Sequence, residues 1–180
     1  MKTKIFNIPG LDNSGPKHWQ SVWEKELPNI IRIEQDEWIK PVRTEWVTNI
    51  EKELAQHDGD IILTAHSLGC ATVVYWAQQT KQKIKGALLV APSDVEAPTY
   101  PEGTTGFKPM PLNKLPFRSI VVASSNDYYV SIERAEHFAK HWGSEFVMIG
   151  DAGHINSDSN LGRWEKGIEL LSILSGEKIK

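Results

Sequence analysis

Ser67 lies where an apolar run ends and a helical pattern begins, within "DIILTAHSLGCA" at residues 60–71. A serine between a strand and a helix is typical of a nucleophile elbow, a tight turn that presents the hydroxyl to a cleft. Because this turn brings the strand and the helix close together, the residues two before and two after the serine must be small, as Ala65 and Gly69 are. The alternative interpretation is that Ser67 only caps the helix. A nucleophilic role requires a base and an acid elsewhere in the chain.

Asp127 and His154 are the candidates for that acid and that base. Asp127 follows the apolar run "RSIVVAS", and His154 follows the apolar run "EFVMIG". Both residues therefore lie just beyond predicted strands, in the order serine, acid, histidine that α/β-hydrolases use along the chain. We predict a triad in which Ser67 is the nucleophile, His154 takes its proton and Asp127 orients the imidazole.

Two other carboxylates compete with Asp127 for the acid position. Asp94 follows the run "IKGALLVA", and Asp151 lies three residues before His154. Taken alone, Asp127 is also typical of an Asx-turn, and His154 of an exposed loop. Chain order and loop position favour Asp127 over both rivals.

Backbone amides are needed to bind the negative charge that develops on a substrate carbonyl oxygen. The amide of Leu68 is one candidate, because it lies at the N-terminus of the helix after the serine. The loop after the first predicted strand, "PGLDNSGPKHW" at residues 9–19, is predicted to supply the other. There Gly10 permits a close backbone approach, and Leu11 is the preferred donor with Asp12 as the alternative. Gly10 and Asp12 are also predicted to border the substrate.

Further pocket residues are predicted from the same loops. His18 and Trp19 would flank the cleft, and Tyr128, Trp19 and Trp164 would form apolar walls, although core packing is the commoner role for each aromatic side chain. The proline-rich segment at residues 91–117 is too long for an ordinary connection and is the candidate roof of the pocket.

No metal or cofactor is predicted. His137 and His141 lie four residues apart on a predicted helix, but "HFAKH" lacks the glutamate of an HExxH motif, and no third ligand suggests itself. We interpret the two histidines as part of a solvated helix face.

Six β-rich runs alternate with stretches of helical spacing. The runs are "KIFNI", "IIRIE", "DIILTA", "IKGALLVA", "RSIVVAS" and "EFVMIG". The first helical stretch begins at Pro16, and the other four cover residues 44–57, 68–81, 131–142 and 161–175. Several runs are almost wholly apolar, as in strands covered on both faces. We therefore predict an α/β fold, a three-layer α/β/α sandwich with a mostly parallel sheet of about six strands, formed by residues 1–180 as a single domain.

The composition excludes several classes of partner. The formal net charge is -3 with no basic block, which argues against nucleic acid and against an anionic membrane surface. No run is long and apolar enough to span a bilayer or to resemble a secretory signal, and the single cysteine, Cys70, forms no disulfide framework. The expected location is the cytoplasm.

The motifs together resemble the small serine-hydrolase family of retinoblastoma-binding protein nine and its bacterial YdeN-like relatives. The resemblance covers nearly the whole chain and is based on "PG" with "HW" in the first loop, "AHSLG", "LLVAPSD", "SSNDYYV" and "GHINSDSNLGRW". It implies a compact α/β-hydrolase fold with Ser67 as nucleophile, Asp127 as acid and His154 as base. Retinoblastoma-protein binding is not supported, because residues 68–72 lack the glutamate of the Leu-x-Cys-x-Glu motif.

The predicted function is hydrolysis of a small ester, amide or thioester through an acyl-enzyme on Ser67, with a small-molecule acyl substrate as the partner. Two alternatives remain: a binding or scaffold protein that keeps the fold without turnover, and another enzyme class on this fold, such as a transferase or a cofactor-free lyase.

Overall fold

The computed structural model describes residues 3–179, in which six parallel strands form one sheet and alternate with five helices. The spatial order is β2-β1-β3-β4-β5-β6. The strands are β1 (Lys4–Ile8), β2 (Ile30–Arg32), β3 (Ile61–His66), β4 (Gly86–Val90), β5 (Arg118–Ala123) and β6 (Glu145–Met148). Every strand coincides with one of the predicted runs, and the predicted α/β class is confirmed.

The helices agree with the predicted stretches except at their ends. They are α1 (Trp19–Glu26), α2 (Arg43–Leu54), α3 (Leu68–Ala77), α4 (Ile132–Trp142) and α5 (Glu165–Ser175), and a short 3-10 turn covers Ser157–Ser159. The prediction that Pro16 begins a helix was wrong. Pro16 lies in a turn, and α1 begins only after His18. His18 is the N-cap of α1, because its Nδ1 accepts a hydrogen bond from the backbone amide of Gln20.

Successive strand residues point to opposite faces of the sheet and build two separate apolar layers. Phe6, Leu63 and Leu89 belong to the layer under α2, α3 and α4, whereas their neighbours Ile62 and Leu88 belong to the layer under α1 and α5. Both faces are therefore covered, which explains why the strands are almost wholly apolar.

The direction of strand addition reverses between β1 and β3. From β1 the chain adds β2 on one side of the sheet and then returns past β1 to add β3 on the other. The loops after β1 and β3 consequently diverge at the carboxyl edge of the sheet and leave a crevice there, where ligands bind in open α/β sheets. Ser67 follows β3 directly, so it lies at this crevice.

Gly69 allows α3 to pack against the carboxyl end of β1. A Cβ atom at this position would lie against the carbonyl oxygens of Ile8 and Pro9, 2.7 Å from that of Pro9. Two backbone segments would have to separate to make room, so this position requires glycine for steric reasons.

We expect Gly69→Ala to destabilise the protein by about 3 kcal/mol or more, because the new methyl group would overpack backbone atoms that cannot rotate away. Helix propensity alone predicts the opposite sign, since alanine is favoured over glycine in a helix by about 1 kcal/mol. Urea unfolding would measure the change. Gly15→Ala is the matched control, because nothing lies within 4 Å of a Cβ there. Equal stability of the two variants would contradict the steric argument.

Residues 91–117 form neither helix nor strand and are nevertheless ordered against the core. Phe107 and Met110 are buried, and Thr105 bridges to Val42 immediately before α2. Among residues 3–179, no helix has the length and apolar character needed to cross a membrane.

Candidate active site

Ser67 has a strained backbone conformation between β3 and α3. Its φ of 55° and ψ of -122° lie in a region that residues with a Cβ rarely adopt. The amide of Ser67 donates to the carbonyl of Val90, 3.0 Å away, which ties the turn to the end of β4. The side chain makes no capping hydrogen bond to α3. A capping role therefore does not account for the serine, and the turn has the conformation expected of a nucleophile elbow.

The side chains of Ser67, His154 and Asp127 meet at the carboxyl edge of the sheet. Oγ of Ser67 lies 2.8 Å from Nε2 of His154, and Nδ1 of His154 lies 3.0 and 2.9 Å from the two carboxylate oxygens of Asp127. The imidazole is 4% exposed and the carboxylate is fully buried. Although 87 residues separate the serine from the histidine, the fold places them within hydrogen-bond distance.

The buried carboxylate of Asp127 holds the imidazole in a single tautomer. Oδ1 of Asp127 also accepts the amide of Tyr129 at 2.8 Å, so the carboxylate is fixed by its own loop. Because a carboxylate only accepts hydrogen bonds, Nδ1 of His154 carries a proton, and Nε2 of the neutral ring is left free to accept one from Ser67.

The two rival carboxylates have other partners. Asp94 accepts two hydrogen bonds from the guanidinium of Arg134, at 2.8 and 3.0 Å, and Asp151 accepts one from the hydroxyl of Ser125. The only carboxylate that contacts the His154 ring within residues 3–179 is that of Asp127.

The first loop approaches Ser67 as closely as its backbone permits. A Cβ atom on Gly10 would lie 2.8 Å from Cβ of Ser67 and 3.2 Å from its Oγ. The amide of Asp12 already donates to the carbonyl of Trp38 at 3.1 Å. Leu68 is the first residue of α3, so its amide has no partner within the helix. These contacts favour Leu68 and Leu11 over Asp12 as the amides available to a substrate oxygen.

A pocket of about 390 Å³ opens beside Ser67. Three residues predicted to border the substrate line it, namely Asp12, His18 and Tyr128, as does Leu11, the predicted oxyanion donor. Gly10, which was also predicted to border the substrate, is not among the lining residues. The other lining residues, besides Ser67 and His154, are Asn13, Ile39, His66, Ser93, Tyr100, Pro101, Glu102, Tyr129, Asn156 and Ser157. The proline-rich segment thus contributes to the pocket through Ser93 and through residues 100–102.

Trp19 and Trp164 do not line the pocket, and their predicted role as walls was wrong. Both side chains are buried in the layer between α1 and α5, with ring centroids 4.9 Å apart. Nε1 of Trp19 donates to the carbonyl of Ile155 at 2.9 Å, and the Trp164 ring stacks on Trp23. Trp19 reaches the site only indirectly, since Ile155 follows His154.

Sequence reasoning missed Ser93, Tyr129 and Asn156 as pocket residues. Ser93 is the most informative omission, because its Oγ lies 2.6 Å from Oγ of Ser67. Its position could have indicated it as a pocket residue, because Ser93 lies three residues beyond the end of β4, next to Asp94 in "APSD".

Two buried imidazoles beside the site are held in the neutral state. Burial lowers the pKa of His18 to about 3, and the positive charge of Arg32 and the neighbouring imidazole of His154 lower it further. Burial also holds the pKa of His66 well below its usual range, with His18 and His154 acting in the same direction. Nε2 of His66 donates to the backbone carbonyl of His154 at 2.8 Å and so helps to hold the loop that carries His154.

We expect His18→Asn to flatten the dependence of stability on pH. The unfolded chain binds a proton at His18 near pH 6.5, whereas the folded protein does so only near pH 3. Between these two pH values the unfolded state binds more protons than the folded state. The contribution of His18 to the free energy of unfolding is therefore complete above pH 6.5 and falls on acidification by about 1.4 kcal/mol for each pH unit. Asparagine retains an N-cap acceptor and does not titrate. Urea unfolding between pH 4 and 6 would measure the slope, and an unchanged slope would contradict the neutral imidazole.

A family described as serine hydrolase matches residues 5–173 of the chain. A comparison with curated proteins finds no match.

Solved structures of similar proteins share the fold. A YdeN-like hydrolase from Pectobacterium atrosepticum is 34% identical with a TM-score of 0.87, and the alignment covers 99% of this chain and 94% of that one. The ydeN gene product of B. subtilis is 15% identical with a TM-score of 0.76, covering 98% and 100% of the two chains. Est1E from Butyrivibrio proteoclasticus, solved with ferulic acid, is 16% identical with a TM-score of 0.68, covering 95% and 90%. The last two likenesses concern the fold alone.

Proposed function

The chain belongs to the serine hydrolase family, together with YdeN-like hydrolases, and from this premise we propose that it hydrolyses a small carboxylic ester, thioester or amide through an acyl-enzyme on Ser67. His154 is the proposed general base and Asp127 the residue that orients it. The observation that carries the proposal is the 2.8 Å contact between Oγ of Ser67 and Nε2 of His154 at a strained turn.

In the proposed acylation step, Oγ of Ser67 attacks the substrate carbonyl while Nε2 of His154 takes its proton. The resulting imidazolium lies against the buried carboxylate of Asp127, which stabilises the positive charge. The imidazolium then gives its proton to the leaving group, and the acyl group remains on Ser67. Water repeats the sequence in the deacylation step, with His154 again as base.

The carbonyl oxygen becomes negatively charged in both steps and needs donors that are already in place. We propose the amides of Leu68 and Leu11 for this role, because the first lies at the N-terminus of α3 and the amide of Asp12 is occupied. The α3 dipole points its positive end at the same oxygen.

The pocket favours small substrates without negative charge. Its volume of about 390 Å³ accommodates a short acyl chain together with a small leaving group. The part of the chain described by the structure lines it with two carboxylates, Asp12 and Glu102, and with no lysine or arginine. The neighbouring imidazoles of His18 and His66 are neutral. We therefore expect neutral esters to be cleaved faster than esters that carry a free carboxylate or phosphate.

Labelling with a fluorophosphonate probe tests the proposed function. The wild-type protein should form one covalent adduct, located by peptide mapping at Ser67, and should hydrolyse p-nitrophenyl esters with a preference that declines as the acyl chain outgrows the pocket. A well-folded protein that neither labels nor hydrolyses any ester of the series would refute the proposal and favour a binding role on the same fold.

A further inference from the structure

Ser93 is a second side chain, besides the imidazole, that contacts the nucleophile. It lies in the loop after β4, is 1% exposed and lines the pocket. Its Oγ is 2.6 Å from Oγ of Ser67, which is closer than the 2.8 Å contact between Ser67 and His154. Oγ of Ser67 therefore has two hydrogen-bonding neighbours, and only one of them belongs to the triad.

Counting protons assigns the direction of this hydrogen bond. Nδ1 of His154 donates to Asp127, so Nε2 accepts, and the single hydroxyl proton of Ser67 is used there. The proton between the two serines must then come from Ser93.

Tyr100 lines the same pocket as Ser93. Its hydroxyl is buried without a hydrogen-bond partner among the described residues, yet it lies near enough for Ser93 to lower the pKa of Tyr100 against the larger opposing effect of burial. The hydroxyls of Ser93 and Tyr100 thus belong to largely buried side chains beside the nucleophile, and a donated hydrogen bond is stronger in such surroundings than in bulk water.

We propose that Ser93 is a catalytic residue that donates a hydrogen bond to Oγ of Ser67 and accelerates deacylation more than acylation. This inference rests on the proposed function. In deacylation, water adds to the acyl carbon, giving one proton to His154. The bond between that carbon and Oγ then breaks, its electron pair returns to Oγ, and the imidazolium supplies the proton that restores the serine hydroxyl.

The preference for deacylation follows from the acceptor strength of Oγ in each state. In the acyl-enzyme, Oγ is an ester oxygen, which is a poor acceptor, and it becomes a strong acceptor as negative charge builds on it during departure. In the free enzyme, Oγ is an alcohol oxygen that already accepts well. The hydrogen bond from Ser93 therefore gains more strength on the way to the deacylation transition state, and only this gain raises the rate.

Ser93→Ala tests the proposal in steady-state and burst kinetics with a p-nitrophenyl ester. We expect kcat, which reports deacylation of an activated ester, to fall about ten- to a hundredfold, as for loss of a hydrogen bond to a charged group. The ratio kcat/KM, which reports acylation, should change less than about threefold, so KM should fall with kcat. The initial burst of nitrophenol should remain while the steady phase slows.

A shape-matched pair removes the effect of packing. Ser93→Thr keeps the hydroxyl, and Ser93→Val has the same shape without it, so threonine should retain most of kcat and valine should behave like alanine. An equal fall of kcat and kcat/KM in alanine and valine would overturn the proposal, as would wild-type kinetics in both. A wild-type protein without burst or labelling would instead refute the proposed function itself, so the two failures are distinguishable.

Discussion

Replacing Ser67 with alanine should lower kcat for a good ester substrate by a factor on the order of 10⁶, the scale found when the nucleophile of a serine protease is removed. The reason is that both chemical steps pass through Oγ, which no other nucleophile near the His154 imidazole replaces with the same geometry. Rates would be measured with a p-nitrophenyl ester, and fluorophosphonate labelling should disappear. Thermal unfolding serves as the control, because deleting one buried oxygen at a turn whose φ is already 55° leaves the backbone constraints in place.

The same variant makes a second, sharper test possible through non-additivity. If Ser67 and His154 act as one unit, His154→Ala should cost nearly as much as Ser67→Ala, and the double variant should be no slower than either single one. Losses that multiply would show that the imidazole acts independently of the hydroxyl, and would contradict the mechanism derived from their 2.8 Å contact.

The positions of the three catalytic candidates could be predicted because each depends on backbone topology. Ser67, Asp127 and His154 follow three strands whose apolar runs are visible in the sequence, and parallel strands bring their carboxyl ends to one edge. Chain order then assigns the roles of acid and base. All six strands lie on the same apolar runs, although the ends of most of them differ from the ends of the runs.

The pocket walls could not be predicted in the same way, because they depend on which face of an element a side chain occupies. Trp19 and His18 are neighbours in the sequence, yet His18 borders the pocket while Trp19 is directed into the core beside Trp164. The start of α1 decides between these positions, and α1 begins at Trp19 rather than at the predicted Pro16. Element ends are the least certain part of any pattern-based prediction.

Ser93 was missed for a related reason. The contact between its hydroxyl and that of Ser67 depends on the course of an irregular loop over a few residues beyond β4, and no periodicity constrains such a loop. The neighbouring Asp94 attracted attention as an acid, but its carboxylate turns away from the site towards Arg134.

Asp127→Asn should lower kcat/KM by about 10⁴, the loss that accompanies the wrong histidine tautomer in a serine protease. The amide of Tyr129 requires an acceptor at the position of Oδ1, so the new side chain would place its oxygen there and its nitrogen at the position of Oδ2, 2.9 Å from Nδ1 of His154. An amide nitrogen only donates, which favours the tautomer with the proton on Nε2. That tautomer cannot take the proton of Ser67.

Asp94→Asn is the matched control for this substitution. It replaces the rival acid with the same change in charge and weakens the contact with Arg134, whose side chain is 34% exposed, so the effect should be on stability rather than on chemistry. We expect kcat/KM within about threefold of wild type, because the Asp94 carboxylate is bonded to Arg134 and not to the His154 imidazole. Equal losses of kcat/KM in the two variants would mean that the fixed tautomer of His154 does not depend on Asp127. A loss confined to Asp127→Asn would identify Asp127 as the acid by function as well as by distance.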